Sequence, residues 1–296
     1  MNRLFTTLLT LFLCQILLSQ ELNQVTKDTR GREKMLGEIN KSGLTQNSFN
    51  TWFTPNYEAY EPNVEITEKL QRKLKKYTIT VFMGTWCGDS KREVPKFYKV
   101  LEAANFPESN LRVVGLNNGR EHYKQGPNGE EIGMNIHRVP TFIVYNKRGK
   151  EIGRIVEHPV ESFEADLLKI CRKKSYQHKY QVVTELDNIF KKKGENYVTK
   201  NTEKVISKLK PFLKNSRELN TYGYMLLRSK AKEISKAITV FTINTQLFPE
   251  DKNCYDSLAE AYYETKEYEK AKENYAKVLA LDANDANAKT MLAKMQ

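Results

Sequence analysis

The chain has 296 residues, of which 40% are hydrophobic and 28% are charged, and its formal net charge is +12. That length is enough for about two domains, and the apolar content excludes a largely disordered chain. The 48 basic residues are interleaved with 36 acidic ones. Because no compact basic and aromatic motif accompanies the positive charge, the composition favours a solvated surface and does not indicate a nucleic-acid partner.

Residues 1–19 have the pattern of a secretory signal peptide. Arg3 supplies a positive start, and residues 4–18 are largely apolar over a length that suits a signal and is short for a membrane span. Cys14 raises the question of a lipid anchor, but Leu13 is large where lipoprotein signals carry a small residue. We therefore expect a secreted, periplasmic protein with no lipid on Cys14 and no membrane span after signal cleavage.

Residues 20–50 are polar and weakly patterned, and we interpret them as a lead segment with one helix near residues 32–41. Residues 51–174 show helical and strand-like patterns, with a loop rich in Gly and Asn at 117–135. Helices are predicted at 63–76, 91–104 and 160–173, and strands at 77–83, 111–116, 139–145 and 151–156. This order predicts an α/β domain, built as a mixed sheet with helices on both faces.

Residues 175–296 show no further strand pattern, and apolar residues recur there at helical spacing. Three positions, Ala237, Phe241 and Pro249, precede Ala271, Tyr275 and Ala283 by 34 residues each. That period resembles the tetratricopeptide repeat, a pair of antiparallel helices. The resemblance implies an all-α domain with repeats at about 218–251 and 252–285, which binds a protein partner.

The stretch at residues 81–90, VFMGTWCGDS, brings Cys87 from the end of an apolar strand to the first turn of a helix. The unpaired N–H groups and the dipole at a helix N-terminus favour a thiolate over a thiol. Asp89 opposes this effect, but basic residues in the same turn offset most of it, and the Ser90 hydroxyl is placed to donate a hydrogen bond to the thiolate. We therefore expect Cys87 to be nucleophilic at neutral pH.

Two other cysteines, Cys171 and Cys254, remain after signal cleavage, so the total of three is odd. At least one thiol is then unpaired by bridges within the chain. Cys171 lies on an apolar helical pattern and Cys254 lies at a helix start, and we expect both to be packed and inert.

The chain between about residues 52 and 174 resembles the thioredoxin family. Trp86-Cys87-Gly88 matches the start of that family's active-site motif, and Val139-Pro140-Thr141 matches its cis-proline turn. Pro95 matches a helix-kinking proline, and residues 149–157 match a closing strand. The resemblance implies that Cys87, assisted by Ser90, is the catalytic thiol. It also implies a substrate groove shaped by Trp86, Gly88, Asp89, Val139 and Pro140.

Two departures from the family pattern change the expected chemistry. Ser90 replaces the second cysteine of the motif, so a disulfide within the motif is impossible. Val81 stands where many thioredoxins carry a buried acid that relays a proton. What the resemblance still implies is a site for a mixed disulfide with a protein or peptide substrate.

Other chemistries have little support in the sequence. The histidines at 122, 137, 158 and 178 show no metal-ligand spacing with the cysteines, and no glycine loop that would cradle phosphate is present. We therefore expect neither a metal nor a cofactor. His122 and His137 flank the 117–135 loop, and their pattern favours surface histidines over general bases.

Two functions from different classes remain open. In the first, the protein is a secreted enzyme that uses Cys87 as a single thiol for thiol-disulfide exchange or disulfide isomerisation, and its helical domain recruits a partner. In the second, both domains are redox-inactive binding modules, as the missing second cysteine of the motif indicates.

Overall fold

A computed structural model describes residues 22–228 and 233–295. The signal peptide predicted at 1–19, with Cys14, lies outside the described residues. Within the described residues, no helix is long and apolar enough to cross a membrane. The large apolar cores divide near residue 175: one core contains residues from Met35 to Cys171, and another contains residues from Val182 to Ala261.

Six strands form one mixed sheet in the order β1-β2-β4-β3-β5-β6. The strands are β1 (Gln24–Lys27), β2 (Glu33–Ile39), β3 (Thr78–Met83), β4 (Leu111–Gly115), β5 (Thr141–Tyr145) and β6 (Glu151–Val156). β3 runs parallel to β4 and antiparallel to β5. Its central position explains its nearly continuous apolar sequence, because side chains on both faces of a central strand are buried.

The sequence predicted a helix near residues 32–41, and this prediction is wrong: the segment forms strand β2. Met35, Gly37 and Ile39 are buried and alternate with partly exposed Leu36 and Glu38, which is the two-residue period of a strand. β2 pairs antiparallel with β4, and β1 pairs with β2 in turn. The lead segment therefore extends the sheet by two strands.

Within the part of the chain that the structure describes, five α-helices belong to the same half as the sheet. They are α1 (Lys41–Leu44), α2 (Asn47–Glu58), α3 (Val64–Leu74), α4 (Gly88–Ala103) and α5 (Phe163–Cys171). Helices α2 to α5 share the larger core with the sheet residues Ile79, Val81 and Met83. Phe97 of α4, for example, packs on Phe142 of β5 with ring centroids 4.4 Å apart.

The sequence predicted helices on both faces of the sheet, but the opposite face is covered by a loop segment instead. The apolar cluster on this face contains Phe82, Val114 and Ile143 from the strands. The residues that cover them come from the chain segment between β4 and β5, including Ile136 and Val139, and Trp86 packs at the edge of the cluster. This segment replaces a helical layer on that face, and it borders Cys87.

The rest of the described chain is helical. Its helices are α6 (Gln181–Lys193), α7 (Glu195–Lys200), α8 (Thr202–Leu209), α9 (Arg217–Leu227), α10 (Ile234–Leu247), α11 (Lys252–Glu264), α12 (Tyr268–Leu281) and α13 (Ala286–Lys294). The pairs α9–α10 and α11–α12 coincide with the two 34-residue units of the sequence. Small residues allow close packing within these pairs: Ala237, Ala259 and Ala271 are fully buried, and a Cβ on Gly223 would overlap the ring of Phe241.

Candidate functional site

Cys87 lies between the end of β3 and the start of α4, where it is the N-cap residue of the helix. Its side chain is partly exposed. The Sγ–H group donates a hydrogen bond to the backbone carbonyl of Val139, with Sγ and O 3.3 Å apart. The peptide bond between Val139 and Pro140 is cis. The fold thus brings together the thiol and the proline turn, two features that are 52 residues apart in the sequence.

Trp86 is held against the segment that links β4 to β5. Its indole Nε1 donates a hydrogen bond to Leu116 O at 2.7 Å, and its ring centroid lies 6.1 Å from that of Tyr123. Gly84 makes room for the indole, since a Cβ at that position would lie 2.5 Å from Trp86 Cε2. The neighbouring Thr85 is buried, and its hydroxyl accepts a hydrogen bond from Met35 N at 2.9 Å. Trp86 thereby borders one side of the thiol.

Ser90, which the sequence comparison aligned with the second cysteine of the thioredoxin motif, is fully buried. Its hydroxyl oxygen accepts a hydrogen bond from Gly84 N at 3.1 Å, so it ties the first turn of α4 to the end of β3. This contact differs from the one that the sequence suggested, in which the hydroxyl donates to Cys87. Gly88 is exposed in the first turn, and the Asp89 carboxylate pairs with Arg92.

Arg138 precedes the cis-proline turn and connects it to the helical region. Its guanidinium pairs with Glu157 at 3.3 Å, donates to Thr221 Oγ1 of α9 at 2.9 Å, and lies over the ring of Tyr180 at 5.0 Å. Glu157 also accepts a hydrogen bond from the Tyr180 hydroxyl. Arg138, next to the proline turn, is therefore held in place by side chains from both halves of the chain.

The segment between β4 and β5 makes further contacts with the helices. Gln125 Nε2 donates to Arg228 O at 2.7 Å, and Arg120 lies 3.6 Å from the carboxylate of Glu260 in α11. Arg228 reaches the same Glu260 carboxylate at 3.3 Å. These contacts place the helical region directly beside the segment that borders Cys87.

A buried basic residue near Cys87 was not predicted from the sequence. Lys124 is only 5% exposed, its ammonium donates a hydrogen bond to His137 O, and it lies over the Tyr123 ring at 4.6 Å. Burial lowers the pKa of Lys124 to about 7, with a further lowering by Arg138, while Cys87 and Glu157 raise it. No local pattern in the sequence marks this lysine, since it lies in a loop rich in Gly and Asn.

His137 is also buried, contrary to the surface position that the sequence favoured. It is 0% exposed, its Nδ1 lies 3.2 Å from Asn135 O, and its ring contacts Tyr180 and Tyr222. Burial and the charge of Lys124 hold its pKa well below the usual value. The ring is therefore neutral, and it serves as packing between the proline turn and the helices.

The other two described cysteines are remote from this chemistry. Cys171 and Cys254 are 7% and 1% exposed, and burial raises the pKa of each thiol to about 12. The described residues include no cluster of His, Cys, Asp and Glu that would hold a metal ion. Cys87 is thus the accessible thiol of the described chain.

Comparison with known proteins agrees with this fold. A protein-family model described as thioredoxin matches residues 46–167, and this region of the chain is a thioredoxin-like domain. No curated protein matches the sequence significantly.

Two solved structures are similar to part of the chain. A protein of unknown function from Pseudomonas aeruginosa is 16% identical, with a TM-score of 0.35, and the match covers 46% of this chain and 92% of that one. An HIV epitope scaffold is also 16% identical with a TM-score of 0.35, and here 47% of this chain and 94% of the scaffold are covered. Nothing about function follows from similarities of this size.

Proposed function

We propose that the protein exchanges disulfides with protein or peptide substrates through the single thiol of Cys87. The observation that carries this proposal is the position of the thiol: it is partly exposed at a helix N-terminus and faces the carbonyl of Val139 beside the cis-proline. Cys171 and Cys254, by contrast, are buried. An accessible thiol at a helix N-terminus is the arrangement in which cysteines become reactive.

The proposed chemistry needs one protein thiol and one outside thiol. The Cys87 thiolate attacks one sulfur of a substrate disulfide, so that a Cys87–substrate disulfide forms and the other substrate sulfur leaves as a thiolate. A second thiolate, from the substrate itself or from a small thiol such as glutathione, then attacks the substrate sulfur and releases Cys87. If that thiolate belongs to the substrate, the result is isomerisation without net oxidation or reduction.

The proposed groove lies around this thiol. Trp86 borders it on one side, and Val139 and Pro140 border it on another, while Gly88 and Asp89 contribute the first turn of α4. We assign Ser90 to support of this turn, since its hydroxyl bonds to Gly84 N. A substrate disulfide would approach Cys87 between the indole and the proline turn.

We further propose that the helical region recruits a protein partner and that residues 1–19 direct the protein to the periplasm. The pairing of α9 with α10 and of α11 with α12, at the 34-residue period, supports repeats of the tetratricopeptide type. The positive start and apolar run of residues 1–19 support secretion. A periplasmic site would supply substrates with disulfide bonds.

A redox-inactive scaffold is the second candidate. The observation that favours it is Ser90: the position of the second thiol is taken by a buried hydroxyl that bonds to the backbone. In that case both halves of the chain bind partners, and Cys87 forms no mixed disulfide.

One assay separates the two candidates. A protein with scrambled disulfides is refolded in glutathione buffer with the wild type, with Cys87→Ser, and with Cys254→Ala as a control for loss of a buried cysteine. The proposal predicts faster recovery of native disulfides with the wild type and with Cys254→Ala, and no acceleration with Cys87→Ser. Equal recovery with the wild type and Cys87→Ser would support the scaffold instead.

A further inference from the structure

Lys124 is a buried base whose role the fold alone does not explain. Burying an ammonium group is costly unless an anion compensates for it. The ammonium of Lys124 donates its hydrogen bond to a neutral carbonyl, His137 O. The charged groups that act on it are Arg138, Cys87 and Glu157. The two groups in this set that can be anions are therefore Glu157 and the Cys87 thiolate.

Glu157 is already engaged by other residues. Its carboxylate pairs with Arg138 at 3.3 Å and accepts a hydrogen bond from the Tyr180 hydroxyl. Cys87, by contrast, makes its hydrogen bond to a neutral group, the carbonyl of Val139, with Sγ and O 3.3 Å apart. Glu157 thus already has Arg138 as its cationic partner, whereas a thiolate formed at Cys87 would find Lys124 among the charged groups that act on it.

The backbone brings the two groups to the same segment. The Lys124 ammonium reaches His137 O, and the Cys87 thiol reaches Val139 O, two residues further along. The residues that precede them, Tyr123 and Trp86, are in ring contact at 6.1 Å. The Lys124 amine and the Cys87 thiol thus contact carbonyls that are two residues apart on the same stretch of backbone.

We propose that Lys124 is a positioning residue for Cys87: its amine takes up a proton when the Cys87 thiol loses one, and the resulting ammonium stabilises the thiolate. This inference rests on the proposed exchange function. One S–H bond is lost and one N–H bond is gained, with solvent carrying the proton, so the net charge of the pair does not change. Many thioredoxins carry a buried acid at the position of Val81, which in this chain is an apolar core residue. Lys124, which lies in a loop, would take over the role of that acid as proton acceptor.

The electrostatic setting supports a transfer of this kind near neutral pH. With a pKa of about 7, lowered by burial first and by Arg138 second, Lys124 is only partly protonated there, and the Cys87 charge favours its protonated form. The titratable groups near the lysine on the side of the domain core are Tyr123, His137, Arg138 and Glu157. Across a cavity of about 310 Å³, it faces Glu131, Asp187, Lys191, Glu233 and Lys236.

The test is the pH profile of iodoacetamide alkylation at Cys87, followed by mass spectrometry, in the wild type and in Lys124→Met. We expect the variant to react about tenfold more slowly at neutral pH and its midpoint to rise by about one pH unit, because one unit is a tenfold change in thiolate population. Lys191→Met is the matched control, since Lys191 lines the same cavity but pairs with Asp187 at 2.8 Å. An unchanged profile in Lys124→Met, or an equal shift in Lys191→Met, would overturn the proposal.

A second measurement covers the case in which Lys124→Met does not fold. Coupling between two titrating groups is reciprocal, so removal of the thiol must shift the lysine by the same amount. In Cys87→Ala, we expect the titration midpoint of Lys124, followed by NMR of lysine side chains, to fall by about one pH unit. A midpoint equal to that of the wild type would contradict the coupling.

These measurements remain informative if the proposed function fails. Alkylation and lysine titration report the thiol and the amine without any disulfide substrate. A protein that does not refold a scrambled substrate but shows the Lys124-dependent profile would retain this inference and lose the exchange function. A protein that turns over substrate with an unchanged profile in Lys124→Met would show the reverse.

Discussion

Gly84→Ala should selectively destabilise the thioredoxin-like domain. A Cβ at residue 84 would lie 2.5, 2.7 and 2.8 Å from Cε2, Nε1 and Cζ2 of Trp86. Three ring atoms would thus be closer than real Cβ contacts allow, so the indole must move. Movement removes the 2.7 Å hydrogen bond from Trp86 Nε1 to Leu116 O and disturbs the contact with Tyr123.

The size of the effect follows from these contacts. Overpacking of a well-packed site costs about 1–3 kcal/mol, and loss of a hydrogen bond costs about 1 kcal/mol. Replacement of glycine by alanine also stabilises the folded state by about 0.4–1 kcal/mol, because it lowers the conformational entropy of the unfolded chain. The net loss in the free energy of unfolding is therefore about 1–3.5 kcal/mol, or about 0.5–2 M in the urea midpoint at an m-value of about 2 kcal/mol/M.

Tryptophan fluorescence during urea unfolding is the assay, because the chain's two tryptophans, Trp52 and Trp86, both lie in residues 46–167. Gly88→Ala is the matched control, since a Cβ there meets only Arg92 Nη1 at 3.6 Å, an ordinary contact. We expect this control to unfold at the wild-type midpoint or slightly above it. A wild-type midpoint for Gly84→Ala, or an equal loss of stability in Gly88→Ala, would show that the Cβ at residue 84 does not displace the indole.

Three further predictions follow from the same geometry. Cys87 should react with iodoacetamide in the native protein while Cys171, whose pKa burial raises to about 12, reacts only after unfolding; equal native rates by mass spectrometry would contradict this. A double-mutant cycle of Arg138→Met and Thr221→Val should give a coupling of about 0.5–1.5 kcal/mol in urea unfolding, whereas zero coupling would mean that their hydrogen bond does not contribute. Burial lowers the pKa of His178 to about 4, so its neutral form stabilises the fold above the ordinary pKa of about 6.5, and about 2–3 kcal/mol is lost as the pH falls from about 6.5 to about 4. His178→Gln should flatten this part of the stability profile, and an unchanged slope would show that His178 is not responsible.

The elements around Cys87 were predictable because their patterns are local. β3 is a short apolar run at the centre of the sheet, and α4 carries buried residues at helical spacing, including Val94, Phe97 and Leu101. Strand β2 was missed because three charged residues, Glu33, Lys34 and Glu38, interrupt its apolar pattern. One of them, Lys34, is 6% exposed and donates to the side chains of Asn117 and Asn118, which are 83 and 84 residues away.

The burial of Lys124 and His137 beside Cys87 could not be predicted from the sequence, because it also depends on contacts between distant parts of the chain. Lys124 and His137 lie in a segment with no helical or strand period, and their burial depends on chain that is distant in sequence. Lys124 lines a cavity whose other wall includes Met225 and Lys236, and His137 packs on Tyr222. A local pattern reports a residue's neighbours along its own element, and it carries no information about a second group of helices that covers a loop.

The most direct test of the central claim is one exchange step, performed with oxidised glutathione. The protein is incubated with the disulfide, its intact mass is measured, and the modified cysteine is identified by peptide mapping before and after addition of a reducing thiol. We expect one glutathione per chain, attached to Cys87 and released by the thiol, and no adduct in Cys87→Ser. An unmodified Cys87 in the folded wild-type protein, or an adduct that forms equally at Cys171 and Cys254, would contradict the account.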